Sequence, residues 1–273
     1  MITTAVEPEI DVAVDEVAID AITFDIETGP LADEILLKLC PEFVVPPRPG
    51  EFDPAGVKYG NMKDPAKRAE KLTQCQADHA QAVRDYDNNL VIARAEHFEK
   101  FKAGAALDAT TGRVVAIGTL IDGDAHAIDC DGDDTAEAEG LRHWWNLAAE
   151  CSKEQRPMIG FNTHSFDLPF MVRRSWILGV PIPAGVRQGR YWNPLFIDLM
   201  RAWGFDGREF VSLNTLAIAF GLAGKVKEVD GIAIEGKTFY LAWRNPELRP
   251  VAEKYLGRDL ELPAVLAVKM GVV

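Results

Sequence analysis

The sequence offers chemistry in three short stretches. Asp25 and Glu27 stand at i and i+2 of an alternating run from Ala21 to Glu27, so both carboxylates project from one face of a strand near its end. Asp167 stands where the apolar run Met158 to Phe161 passes through the polar turn Asn162-Thr163-His164-Ser165 into a helix start. Tyr255 and Asp259, at i and i+4 of a helical stretch, set a phenol and a carboxylate on one helix face. Carboxylates are hard oxygen ligands for divalent cations. Two of them about 4 Å apart repel by roughly 4 kcal/mol at an effective dielectric near 20, so converging acids require cations. Each stretch alone has a plainer reading: Asp25 and Glu27 as a solvated face at a sheet edge, Asp167 as the N-cap of the next helix, Asn162 as a turn residue, Tyr255 and Asp259 as a surface pair. Gly257 costs its helix about 1 kcal/mol, which fits a close approach at that point.

Periodicity places the elements that must carry these groups. Ile22, Phe24 and Ile26 form the apolar face of the first strand, the other face is read as wet, and Gly29-Pro30 stops it. A proline-rich loop follows, and Asp64-Pro65 opens a long helix to about Lys102, with a break expected near Asn88-Asn89. Arg113 to Ile121 and Ala125 to Cys130 read as a hairpin turned by Gly123. A helix over about 135–151, a short strand over 158–161, a helix over about 165–178 and further helices ending at 251–270 complete the chain. The expectation is an α/β fold, a mixed sheet flanked by helices. Residues 1–19 read as an acidic disordered tail and 20–273 as one domain, interrupted at 31–110 by the proline-rich loop and long helix.

Composition narrows the class. In 273 residues, 48% hydrophobic and 26% charged residues are those of an ordinary folded protein. The longest uncharged stretch, Phe210 to Gly224, is too short to span a bilayer, and the N-terminus lacks the basic start of a secretory signal. A cytoplasmic protein with no membrane partner is expected. Cys40, Cys75, Cys130 and Cys151 form neither a Cys-x-x-Cys pair nor a disulfide framework, which argues against zinc. The net charge of −13 repels nucleic acid at long range, so such a partner needs local bases or bridging cations. Two local surpluses exist: Arg173, Arg174, Arg187, Arg190, Arg201 and Arg208, and a helical stripe of Lys67, Arg68 and Lys71 preceded by Lys58 and Lys63. Either is a backbone track or a solvated surface.

Taken in order, Asp-x-Glu on the first strand, Asn-x-x-x-Phe-Asp and Tyr-x-x-x-Asp resemble the DnaQ-like 3′-to-5′ exonucleases of the DEDD superfamily, in the tyrosine branch. The likeness is strongest to exonucleases related to the proofreading domains of family B DNA polymerases. It extends through Arg113 to Gly118 and through Ser212-Leu213, Gly221, Lys225 and Asp230-Gly231, covering about residues 20–30 and 110–271. Leu256 departs from the Cys common after the motif Tyr, and residues 31–110 replace a short connection. The resemblance implies a ribonuclease-H-like fold and hydrolysis at the 3′ end of single-stranded DNA with two Mg²⁺ or Mn²⁺ ions. Asp25 would bridge both ions, Glu27 and Asp259 would hold the water-activating one, Asp167 would support the second, and Tyr255 would orient the water. Thr28, Asn162 and Phe166 would hold the strand end, with Phe166 either a wedge or a buried core residue. The insertion leaves the strand beside these acids, so Lys67, Arg68 and Lys71 are candidate phosphate contacts. DNA is favoured over RNA as partner, with a DNA polymerase or other replication protein in trans. The rival readings are an exoribonuclease and a catalytically inactive nucleic-acid-binding replication module.

Overall fold

The structure is a computed structural model that describes residues 20–184, 194–205, 207, 210–225 and 228–273. The expected tail therefore lies outside the described residues. From the N-terminal side the elements are strand β1 (Ile22–Pro30), helices α1 (Asp33–Leu39) and α2 (Pro65–Ala105), strands β2 (Gly112–Ile121) and β3 (Asp124–Asp129), helix α3 (Asp134–Glu154) and strand β4 (Met158–Gly160). Helix α4 (Asp167–Ile177), strand β5 (Phe196–Asp198), helices α5 (Leu199–Trp203) and α6 (Leu213–Ala219), short strands β6 (Glu228–Val229) and β7 (Ile232–Ala233), and helices α7 (Phe239–Arg244) and α8 (Arg249–Lys269) follow.

The main sheet has the order β3-β2-β1-β4-β5, with β1, β2 and β3 antiparallel in sequence and β4 and β5 added parallel beyond β1. With helices on both faces this is the ribonuclease-H-like arrangement. The alternation of β1 is as its sequence indicates, but the wet face is not: Thr23 and Glu27 are as buried as Ile26. β1 is the central strand, covered on both sides. On one face Ile22, Phe24 and Ile26 pack in a cluster with Leu141, Trp144 and Trp145 of α3 and Phe170 and Met171 of α4. On the other face Val115 and Leu120 of β2 pack with Phe239 and Trp243 of α7 and Tyr255, Leu256 and Leu260 of α8. Gly118 lets α8 lie close to β2, because a Cβ there would stand 2.8 Å from the Leu256 side chain. A Cβ on Gly257 of α8 would lie 3.5 Å from Ala125 Cβ of β3, an ordinary contact, so the close approach expected at Gly257 is not what requires a glycine there.

A buried ion network ties the first of these layers together. Glu137 is fully buried and accepts from Arg174 Nε (2.9 Å), Arg174 Nη2 (2.7 Å) and the Val114 N–H (2.9 Å), with Arg113 at 3.8 Å. Paired and hydrogen-bonded in this way, the charges tolerate the interior. Arg174 is therefore a core residue rather than part of the expected cationic surface. Arg187, Arg190 and Arg208 of that surface fall outside the described residues.

Residues 32–104 form a separate compact unit. Its helix α2 runs unbroken through Asn88-Asn89, since two exposed Asn lower helix propensity by only about 1 kcal/mol together. The extended chain before α2 lies antiparallel along it. His97 Nε2 donates to Pro41 O (2.7 Å), Tyr86 Oη to Pro46 O (2.7 Å), His79 Nε2 to Gly50 O (2.8 Å) and Lys71 Nζ to Lys58 O (2.7 Å). Carbonyls of a chain whose own secondary structure is the single 3-10 turn Pro54–Gly56 are thereby satisfied by helix side chains.

Candidate metal centre

β1 delivers Asp25 and Glu27, and α8 delivers Asp259, to one place. One carboxylate oxygen of each lies within 4.8 Å of the others. Glu27 and Asp259 are buried and Asp25 is half-buried. Asp167 arrives from the first turn of α4. Phe166, not Asp167, is the N-cap of that helix, and Asp167 Oδ1 instead accepts the Ile26 N–H of β1 at 3.0 Å. That bond sets Asp167 against the strand between the two β1 acids.

The electrostatics follow from this crowding. Burial first, then the negative charges of Asp167 and Glu27, push the Asp25 carboxyl well above the usual carboxylate range. Glu27 is pushed up likewise by burial and by Asp259. Burial raises Asp167 to about 6 against the opposing pull of the Ile26 N–H, and burial also raises Asp259. These acids disfavour their own ionised forms, which divalent cations relieve. Hard oxygen donors, mutual proximity and unrelieved repulsion all fit such ions. Burial, followed by the charge of Asp259, pushes the Tyr255 phenol above its ordinary range. Lys225 supplies the neighbouring positive charge, its Nζ 2.8 Å from Asp259 Oδ2.

A cavity of about 350 Å³ opens beside the acids, lined by Asp25, Asp259 and Lys225 together with Phe161, Asn162, Met200 and Ser212. Asn162 holds its positive φ of 62° because Asp198 at the end of β5 accepts the N–H groups of Asn162 (2.9 Å), His164 (3.0 Å) and Met200 (3.0 Å). Phe161 and Phe24 are the aromatic residues of the lining. Phe166 packs on the core and stands 5.6 Å from Phe170, and Thr28, buried just past a register shift of β1 at Glu27/Thr28, is outside the cavity lining. In the unit of residues 32–104, Lys67 is exposed, Arg68 Nε donates to Met62 O (2.6 Å) over the Tyr59 ring, and Lys71 donates to Lys58 O.

Sequence reading passed over Phe161 and Asp198 and gave Lys225 no role. Asp198 had one usable signal, an Asp between the apolar Phe196-Ile197 and Leu199-Met200, which is a capping position for a strand-to-helix junction.

Among solved structures, the chain is similar to the family B DNA polymerase from the hyperthermophilic archaeon Pyrobaculum calidifontis, at 23% identity and a TM-score of 0.48. That match covers 61% of this chain and 23% of the polymerase, so the chain spans under a quarter of its length. A comparison with curated proteins returned no match. Residues 96–254, more than half of the chain, match the family described as predicted 3′-5′ exonuclease related to the exonuclease domain of PolB, and the chain belongs to that family.

Proposed function

We propose that the chain is a metal-dependent 3′-to-5′ exonuclease that removes nucleoside monophosphates from single-stranded DNA. The observation that carries this reading is the convergence of Asp25, Glu27 and Asp259, with Asp167 alongside, where Asp25 and Asp259 line a cavity of nucleotide size. The four carboxylates would hold two Mg²⁺ or Mn²⁺ ions. Bound there, the ions supply an activated water and neutralise charge on the departing oxygen. The protein's own part is to place the strand end. Asn162, fixed by Asp198, and Phe161 wall the cavity and would position the terminal nucleotide by hydrogen bonding and stacking. Tyr255 keeps its proton at neutral pH, because burial and Asp259 both disfavour the phenolate. It therefore orients the attacking water as a hydrogen-bonding group rather than deprotonating it. Thr28 and Phe166 would act indirectly, by shaping β1 and the start of α4.

The test is 5′-labelled DNA and RNA oligonucleotides incubated with and without Mg²⁺. Stepwise shortening of DNA from the 3′ end, faster than that of RNA and abolished by chelator, is the expected result. Asp25→Asn and Asp259→Asn should each lower the rate by about 10²-fold or more while circular dichroism remains that of wild type. Full activity in either variant sinks the site assignment, and faster shortening of RNA makes the chain an exoribonuclease.

A further inference from the structure

We propose that Lys225 is a resident counter-cation that competes with divalent ions for Asp259, an inference that rests on the metal-centre reading above. Its ammonium stands 2.8 Å from Asp259 Oδ2, lies 5.7 Å from the centre of the Tyr255 ring and lines the cavity with Asp25 and Asp259. This placement is built into the fold. Residues 222–225 form neither helix nor strand, yet the Lys225 N–H donates to Asn214 Oδ1 at 3.0 Å. That same carboxamide oxygen stands 2.1 Å from where a Cβ on Gly224 would fall, so only glycine admits the clamp that aims Lys225 at the acids.

One ammonium among four carboxylates offsets only part of their repulsion. Its charge opposes the upward push on the proton affinities of Asp25, Glu27 and Asp259 alike, so it acts on the cluster rather than on a single partner. A divalent ion held by Asp259 brings twice that charge to the same oxygen atoms and repels the ammonium. Metal loading therefore means exchange: Lys225 leaves Asp259 as the ion arrives. The metal-free fold gains an internal cation, and the metal affinity is set lower than the carboxylates alone would give.

The full-length chain, stripped with chelator and dialysed, can be titrated with Mn²⁺ by calorimetry and melted with and without the ion. Lys225→Met should bind Mn²⁺ about tenfold more tightly or better than wild type. Its metal-free melting temperature should fall, and its gain on adding Mn²⁺ should be larger. Lys225→Arg, which keeps the charge, should bind as wild type does. If Lys225 merely braced the site, its loss would loosen the carboxylates and weaken the metal. Equal or weaker Mn²⁺ binding by Lys225→Met accordingly overturns the inference while leaving the metal centre standing. Binding by Lys225→Met alone supports it in extreme form. Absence of Mn²⁺ binding in both proteins overturns this inference and the metal centre together.

Discussion

Asp167 shows how one residue can serve the fold and the site at once. As an Asp directly before Leu168-Pro169, its sequence position suits an N-cap, but its oxygen crosses to the Ile26 N–H and welds α4 to β1 between two other acids. In the metal-free protein its pKa, raised to about 6, has a definite thermodynamic sign. The folded state holds the proton more tightly than the unfolded chain, whose Asp titrates near 4. The stability gained from that proton is complete below about 4 and is lost as pH rises through about 6. Asp167→Asn keeps the acceptor for Ile26 and removes the titration. The melting temperature of wild type minus that of Asp167→Asn, measured in chelator, should therefore fall between pH 4 and pH 7. A constant difference, or one that grows with pH, would contradict the burial of an unrelieved charge. The five residues drawn from the three stretches were legible because type and spacing survive without coordinates. Phe161 and Lys225 were not, because a Phe at a strand end and a Lys in a loop acquire meaning only from what surrounds them.

Among the elements, periodicity found those long enough to display it: β1, the β2–β3 hairpin, α3, α4 and α8. It could not show that β1 is central, since the strand read over 158–161 carries no mark of which strand it pairs with, and β5, three residues long, carries no alternation. The solvated face expected for Asp25 and Glu27 failed for that reason, and its failure strengthens the chemistry, because acids on a covered strand need a purpose or a cation. β5 matters out of proportion to its length through Asp198, the acceptor for two backbone N–H groups of the Asn162 turn and for the Met200 N–H at the start of α5. Asp198→Ala would leave those donors without their partner, at a cost of about 1–3 kcal/mol for each that stays buried. The variant should melt several degrees lower, and, if the turn positions substrate and not metal as proposed, its KM for oligonucleotide should rise more than its kcat falls. Loss confined to kcat would mean that Asp198 acts on the acids instead.

At the scale of the molecule, the proposed activity requires an acidic chain of net charge −13 to bring an anionic polymer to a cluster of carboxylates. Cations within the site help at short range, but capture at a distance depends on where surface bases collect. The unit of residues 32–104 carries one collection, Lys58, Lys63, Lys67, Arg68 and Lys71, facing only Asp64 and Glu70 in the same stretch. The fold gives part of this stripe a structural task, because Arg68 and Lys71 donate to carbonyls of the chain laid along α2. Lys67 is exposed, which separates the two roles. If the stripe grips phosphates, Lys67→Glu should weaken oligonucleotide binding uniformly across sequences and flatten its dependence on salt, with melting temperature and Mn²⁺ affinity unchanged. Reversing Lys67, Arg68 and Lys71 together should deepen the binding defect and also lower the melting temperature, since two helix-to-loop bonds are lost. Wild-type affinity and salt slope in Lys67→Glu, with only the triple variant impaired, would assign the stripe to bracing its own unit and leave strand capture to the cavity beside the acids.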